Sequence, residues 1–337
     1  MTNIVRGLKI CGISSAVPLN RVTSDEIISE APIELREQLK KAKEISGINS
    51  RHIALPNQSA SDFCEHAAGQ LLNALCWRPE DISLVIFISQ TPDFQMPATA
   101  CALQHRLGIP KSACAFDINL ACSGFTHGLW VAGKLLEGNK GGRALLLLGD
   151  TLSKIISPAD WSNRMIFGDA GSAVCLEFDE DQPAEVTNFI MGTDGSGVDS
   201  VVMPSRTSSD PNSGFVMRGL DVFLFASRVV PKAIKDICNL NHCPLEEVDF
   251  IIPHQASGSI LKNISDKIGI DSKKIINELA QYGNTTSSSI PLALVSASDH
   301  IDFNHRRLIF AGFGAGLSWS ATLINFKSVL ILPILEI

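Results

Sequence analysis

The stretch Ala113-Cys114-Ala115-Phe116-Asp117-Ile118-Asn119-Leu120-Ala121-Cys122-Ser123-Gly124 decides the reading. Ala113 to Ile118 is short, mostly apolar and strand-like, and from Gly124 a helical pattern of apolar residues continues to about Gly138. Cys122 therefore sits where a strand gives way to a helix. Its sulfur would lie near exposed backbone amides at the positive end of the helix dipole, which favours thiolate. The same amides would stabilise an oxyanion formed on attack at a thioester carbonyl. Buried, inert cysteines are common, so this junction alone leaves both readings open.

Working outward, the chain alternates helical stripes with buried-strand runs, the pattern of a sheet covered by helices. Ser61 to Leu75 is a helical stripe and Leu84 to Ile88 a strand. A helix opens near Pro97 and closes at Gly108, and Arg143 to Asp150 holds an unbroken Ala-Leu-Leu-Leu-Leu strand. The second half has a long helix from Asp221 to Leu240, a strand from Asp249 to Ile252, and a helix from Ser257 to Ile268. A small-residue helix from Ser287 to about Ser298 follows, then strands Arg307 to Ala311 and Trp319 to Phe326. Matching Ile86 to Ile251 gives an offset of 165 residues, and Leu146 to Ile309 gives 163, so the plan reads as duplicated. The acidic stretch Asp179 to Glu185 reads as the connector between halves 1–178 and 179–337, and Ser205 to Gly214 as a surface loop.

The chain has 337 residues, 45% hydrophobic and 19% charged, which is ample for one large α/β unit. A net charge of −7 without a long basic run excludes nucleic acid or an anionic membrane as the main partner. Nine scattered cysteines without a Cys-x-x-Cys pair read as reduced thiols of a cytoplasmic protein. Cys238, His242 and Cys243 lack the second ligand cluster that zinc requires, so the chain is read as free of metal and cofactor. No apolar run approaches the ~20 residues needed to span a bilayer.

Three other segments carry candidate chemistry. His254 follows the apolar strand Phe250 to Pro253, at the carboxyl end where open sheets place ligand-binding groups, although a structural histidine fits the same place. Asn284, in Tyr282-Gly283-Asn284-Thr285-Thr286, precedes a helix, where ordinary turn or cap chemistry is the plain alternative. Gly312-Phe313-Gly314-Ala315-Gly316 ends a strand with three glycines, which lets backbone amides come close to a ligand.

Taken in order, Ala121-Cys122-Ser123-Gly124-Phe125, Pro253-His254-Gln255-Ala256, Gly283-Asn284-Thr285 and Phe313-Gly314-Ala315-Gly316 resemble β-ketoacyl-acyl-carrier-protein synthase III. Gly47-Ile48 with Arg51-His52-Ile53, Phe116-Asp117-Ile118 and Phe167-Gly168-Asp169-Ala170-Gly171 fit the same family, so the resemblance runs from about Leu8 to Phe326. It implies a duplicated, five-layer α-β-α-β-α thiolase-like fold and a homodimer. It also implies an acyltransferase in which Cys122 takes an acyl group from a thioester of coenzyme A or acyl carrier protein. His254 and Asn284 would then stabilise the enolate left when a malonyl thioester loses carbon dioxide, and the amides of Cys122 and Ala315 would hold the oxyanion. Gly314 and Gly316 would border the substrate.

The sequence departs from that family in several places. Glu34 to Ser46 lacks the aromatic residue of the usual adenine clamp, leaving Trp161 as the candidate stacking surface. Ser259, Asp266 and Leu224 stand where cations that attract a carrier protein are usual, while Lys267 remains. Met96 takes the place of an aromatic that reaches across the dimer toward the partner's acyl pocket, and Ser328 to Ile337 forms an extra apolar tail suited to pairing at a sheet edge. These changes motivate an alternative acceptor, a hydroxyl or amine in a specialised-metabolite or sugar pathway. A non-catalytic partner subunit is the third reading, and the retained Cys122 argues against it.

Overall fold

Ala144 to Leu148 are all fully buried, as expected of a strand covered on both faces. That strand, Arg143–Asp150, pairs in parallel with Ile82–Ile88, which pairs in parallel with Cys114–Ile118. On its other side it runs antiparallel to Ala170–Phe178, itself antiparallel to Leu8–Val17. The computed structural model describes residues 3–204 and 214–337, so most of the loop read at 205–214 lies outside the described residues.

A second sheet repeats this order. Phe250–Pro253 is parallel to Arg307–Gly314, which is antiparallel to Ser318–Asn325, which is antiparallel to Val186–Thr193. The two residue pairs used to detect the duplication fall in corresponding strands. The strand Cys114–Ile118 has only a vestige in the second sheet, a single bridge between Ile251 and Ile275. The chain ends cross over: Asn3–Arg6 joins the second sheet beside Val186–Thr193, whereas Leu330–Ile331 and Leu335–Glu336 pair with Leu8–Val17 in the first. The tail thus occupies a sheet edge, with Leu330, Leu332, Leu335 and Ile337 packed on the apolar cluster outside it.

Helices Gly124–Leu136 and Ser289–Ala297 lie between the sheets and share one core with both of them. Each is apolar nearly all round, which a helix sandwiched between sheets requires. Gly128 has no room for a side chain, since a Cβ there would lie 2.5 Å from Ile88 and 2.8 Å from Leu146. Phe125 packs edge-on to Phe310 of the second sheet at 5.2 Å, and its truncation to alanine would cost about 3–5 kcal/mol. Ala60–Leu75 and Thr99–Arg106 cover the outer face of the first sheet, and Gly219–Leu240 and Gly258–Ile268 that of the second. The result is the five-layer α-β-α-β-α thiolase-like fold.

Pro97 does not open the helix expected there, which starts at Thr99 and runs to Arg106. The Asp117 carboxylate of the neighbouring strand accepts the N–H of Thr99 at 2.7 Å and of Ala100 at 2.8 Å, and so caps that helix from outside. Among the described residues no helix is long and apolar enough to cross a membrane.

Candidate active site

The carboxyl ends of both sheets and the loops that follow them surround one cavity of about 120 Å³. Cys122, His254, Asn284, Gly314 and Ala315 all line it, together with the apolar side chains of Ile166, Phe167, Phe215, Met217, Val222 and Ile260. Residues 162 positions apart, Cys122 and Asn284, meet there because the duplicated sheets point the same strand ends toward each other.

Cys122 precedes the buried helix Gly124–Leu136 and is enclosed by protein except where it meets the cavity. A Cβ on Gly314 would lie 2.7 Å from the Cys122 Cβ and 3.1 Å from its Sγ, so only glycine leaves room for the sulfur. Burial, and then the Asp150 carboxylate, push the thiol well above its ordinary value, while its own backbone N–H pulls the other way. This corrects the expectation of a thiolate at the helix end. Enclosure dominates, and the resting group is a thiol.

His254 is fixed from three sides. Its backbone N–H donates to Ala311 at 2.9 Å, its Nδ1 lies 2.6 Å from the Ser289 hydroxyl, and its ring meets Phe313 edge-on at 5.3 Å. Burial pushes its pKa down to about 3, so the imidazole is neutral at any physiological pH. With Ser289 held at Nδ1, the Nε2 edge is the one left for the cavity.

Asn284 is held as a short strand segment, its N–H donating to Ile166 at 2.9 Å and its carbonyl accepting from Gly168 at 3.1 Å. Its side-chain Oδ1 accepts the Thr286 N–H at 3.0 Å, so the amide oxygen is turned away and the Nδ2 donor is presented. Behind this loop stands Asp150, fully buried. Its Oδ1 accepts from Ser89, Gln90 and Thr91, while its Oδ2 accepts from Thr286 and Ser287. One oxygen thus serves the loop after a first-sheet strand and the other serves the Asn284 loop. Asp150 and Ser289 were not found from sequence. The only trace of Asp150 there is an acidic residue closing an apolar strand.

The remaining expected site residues lie elsewhere. Gly316 is exposed, at φ +134° in the turn after Ala315, and does not line the cavity. Trp161 is outside the cavity, with the Arg164 guanidinium 4.3 Å over its ring. Met96 is 87% exposed and does not line the cavity. Among the described residues no group of three or more His, Cys, Asp or Glu is placed to hold a metal.

Comparison with known proteins bears directly on this geometry. Residues 116–195 match the family described as 3-oxoacyl-[acyl-carrier-protein] synthase III, and residues 238–326 match its C-terminal part. A β-ketoacyl-[acyl-carrier-protein] synthase III of Clostridium perfringens is 33% identical over 331 residues, covering 95% of this chain and 100% of the relative. The chain belongs to the 3-oxoacyl-[acyl-carrier-protein] synthase III family. The crystal structure of a 3-oxoacyl-acyl-carrier-protein synthase from Burkholderia xenovorans superposes with a TM-score of 0.93 at 31% identity, covering 100% of this chain and 99% of that one. The priming β-ketosynthase of a polyketide pathway superposes with a TM-score of 0.84 at 27% identity, covering 96% and 97%. Members of the synthase III family are condensing acyltransferases, and this chain is one of them. The reading as an acyltransferase to hydroxyl or amine acceptors is not favoured by these relatives.

Proposed function

We propose that the enzyme joins two thioesters by decarboxylative Claisen condensation, with Cys122, His254 and Asn284 as its catalytic residues. One observation carries this: a thiol, a neutral imidazole and an amide donor turned away from its own oxygen line a single apolar cavity. Cys122 attacks the carbonyl of an acyl thioester, the carbonyl oxygen becomes an oxyanion, and the bond to the departing thiol breaks. The proton lost from Cys122 leaves with that thiol. The N–H groups of Cys122 and Ala315 hold the oxyanion, each worth roughly 2.7 to 4 kcal/mol of barrier.

A malonyl thioester then occupies the same cavity. When its carboxylate leaves as carbon dioxide, the electrons of the broken bond become an enolate, whose oxygen is held by His254 Nε2–H and Asn284 Nδ2–H. Ser289 donates to His254 Nδ1 in this scheme, which places the ring proton on Nε2. Two neutral donors suit a step in which charge develops and no proton is abstracted. The enolate carbon attacks the acyl-Cys122 carbonyl, the carbon–sulfur bond breaks, and the thiolate takes up one proton.

The donor thioester is carried by coenzyme A or an acyl carrier protein, and the extender by a carrier protein. The active form is a homodimer. The strand Cys114–Ile118 ends its sheet with an open edge, which supports pairing with a second copy, and the exposed Met96 is the residue that reaches the acyl pocket of that copy. Trp161 and the Arg164 it stacks on receive the nucleotide end of coenzyme A, and Gly314 borders the thioester. The halves 1–178 and 179–337 are the evolutionary units, and the nine free cysteines suit the reducing cytoplasm.

Incubation with acyl thioesters and a malonyl thioester is expected to release carbon dioxide and give a β-ketoacyl product. Acylation of Cys122 without carbon dioxide from any malonyl donor would refute the condensation.

A further inference from the structure

The two N–H groups assigned above to the oxyanion come from residues 193 positions apart, on different sheets, so no local backbone geometry sets their separation. A hydrogen-bonded relay runs between them. Ser318, 4% exposed, donates its hydroxyl proton to the Ala315 carbonyl at 2.8 Å. A carbonyl only accepts, so that proton is committed. The Ser318 and Ser123 oxygens are 2.7 Å apart, and Ser123, 1% exposed, must therefore donate the proton between them. The relay begins on the residue after the nucleophile and ends on the peptide unit that follows the second N–H donor. Gly312 lets the two segments close on each other, since a Cβ there would lie 2.8 Å from Ser123 Cα.

We infer that Ser318, acting through Ser123 and the Ala315 carbonyl, is a positioning residue that sets the spacing of the oxyanion hole. The inference rests on the proposed acyl-Cys122 reading and deepens it. The Ala315–Leu317 turn has few other ties: Leu317 exchanges backbone hydrogen bonds with Asp194 at 2.8 and 3.0 Å, and Gly316 between them is exposed. Without the Ser318 hydroxyl, the Ala315–Gly316 peptide loses its anchor inside the turn closed by the Gly314–Ser318 pair, and the backbone of Ala315, whose N–H lies on the other side of the same Cα, shifts while Cys122 stays in place before its buried helix. Oxyanion donors act only within about 0.5 Å and 10–20° of the productive geometry, so a small rotation is enough to lose one.

The test compares two reactions of the same sulfur in the full-length enzyme. Acylation by an acyl-coenzyme A, followed by intact-protein mass spectrometry, passes through an oxyanion. Alkylation by iodoacetamide displaces iodide from a tetrahedral carbon and forms none. Ser318→Ala is expected to slow acylation about 10-fold or more and to change alkylation less than about 2-fold, as loss of one aligned donor predicts. Ser123→Ala should act alike, and the double variant should be no slower than the worse single, because both break one relay. Ser318→Thr, which keeps the hydroxyl, should recover acylation to within about 3-fold. The proposal is overturned if Ser318→Ala acylates at the wild-type rate, if acylation and alkylation fall together, or if the single effects multiply. A wild-type enzyme that alkylates but accepts no acyl group removes the underlying reading of Cys122 instead, and the two failures are told apart by that control.

Discussion

Replacing His254 by glutamine gives a quantitative test of how this cavity-lining imidazole is buried. Its pKa is about 3 in the folded enzyme against 6.5 for an ordinary histidine. Between those values the unfolded chain holds a proton that the native state does not. The contribution of the neutral ring is complete above pH 6.5 and is lost as pH falls toward 3, at about 1.36 kcal/mol per pH unit. From pH 6.5 to 4.5 the wild type therefore loses on the order of 2 kcal/mol that His254→Gln does not. His52 and His127, also lowered by burial, titrate equally in both proteins and cancel. Asp169, raised to about 6 by burial, loses stability in the opposite direction, as pH rises from 3.8 to 6, and cancels too. Urea unfolding followed by intrinsic fluorescence at fixed protein concentration, at half-unit pH steps, gives the difference. A wild-type-minus-variant gap that stays constant from pH 6.5 to 4.5 would show that His254 takes up a proton in the native cavity, and the neutral-donor role would fall with it.

Gly314→Ala places a methyl 2.7 Å from the Cys122 Cβ and 3.1 Å from its Sγ, and should cut acylation about 100-fold, as a ~1 Å displacement of a reacting atom does. A variant acylated at the wild-type rate refutes the close fit. Asp150→Asn keeps the shape but turns one oxygen into an N–H donor facing donors, so thermal unfolding should show a loss of about 1–3 kcal/mol and carbon dioxide release should fall with it. Unchanged release in a folded variant would mean that the Asn284 loop is positioned by something else.

The buried strands with continuous apolar runs are legible in the sequence, because a strand covered on both faces has no polar alternation to obscure it. Arg143–Asp150 was read to the residue. Leu8–Val17, Ala170–Phe178 and Val186–Thr193 were not assigned, although they are integral to the two sheets. Cys11, Gly12, Ser14, Ser15 and Ala16 in the first of these, and Ala170, Gly171, Ser172, Ala173 and Cys175 in the second, break up the β-branched pattern that signals a strand, and both strands pack against Ala60–Leu75. The helix Ile33–Ser46 was likewise unassigned, since it buries only Leu39 and Ser46 and carries no strong apolar stripe. At the cavity, Cys122, His254 and Asn284 are singled out by the sequence because each stands in a distinctive local motif at a turn or element end. Those that aim them, Asp150, Ser289 and Ser318, were missed, because a hydroxyl or carboxylate that acts through a contact with a distant segment leaves no local pattern.

The crossing of the chain ends has a consequence for biosynthesis. The first sheet has all its central strands once residue 178 is made, yet the strands that cover its Leu8–Val17 edge are residues 330–337, made only after every strand of the second sheet. Conversely, the strand Asn3–Arg6 is made early but has no partner until Val186–Thr193 emerges. During synthesis the nascent protein therefore carries an uncovered sheet edge for most of its length, and closure of that edge is coupled to completion of the second half. The lacing makes an edge of each sheet depend on a strand from the far part of the sequence, and so couples closure of the two sheets around their shared cavity.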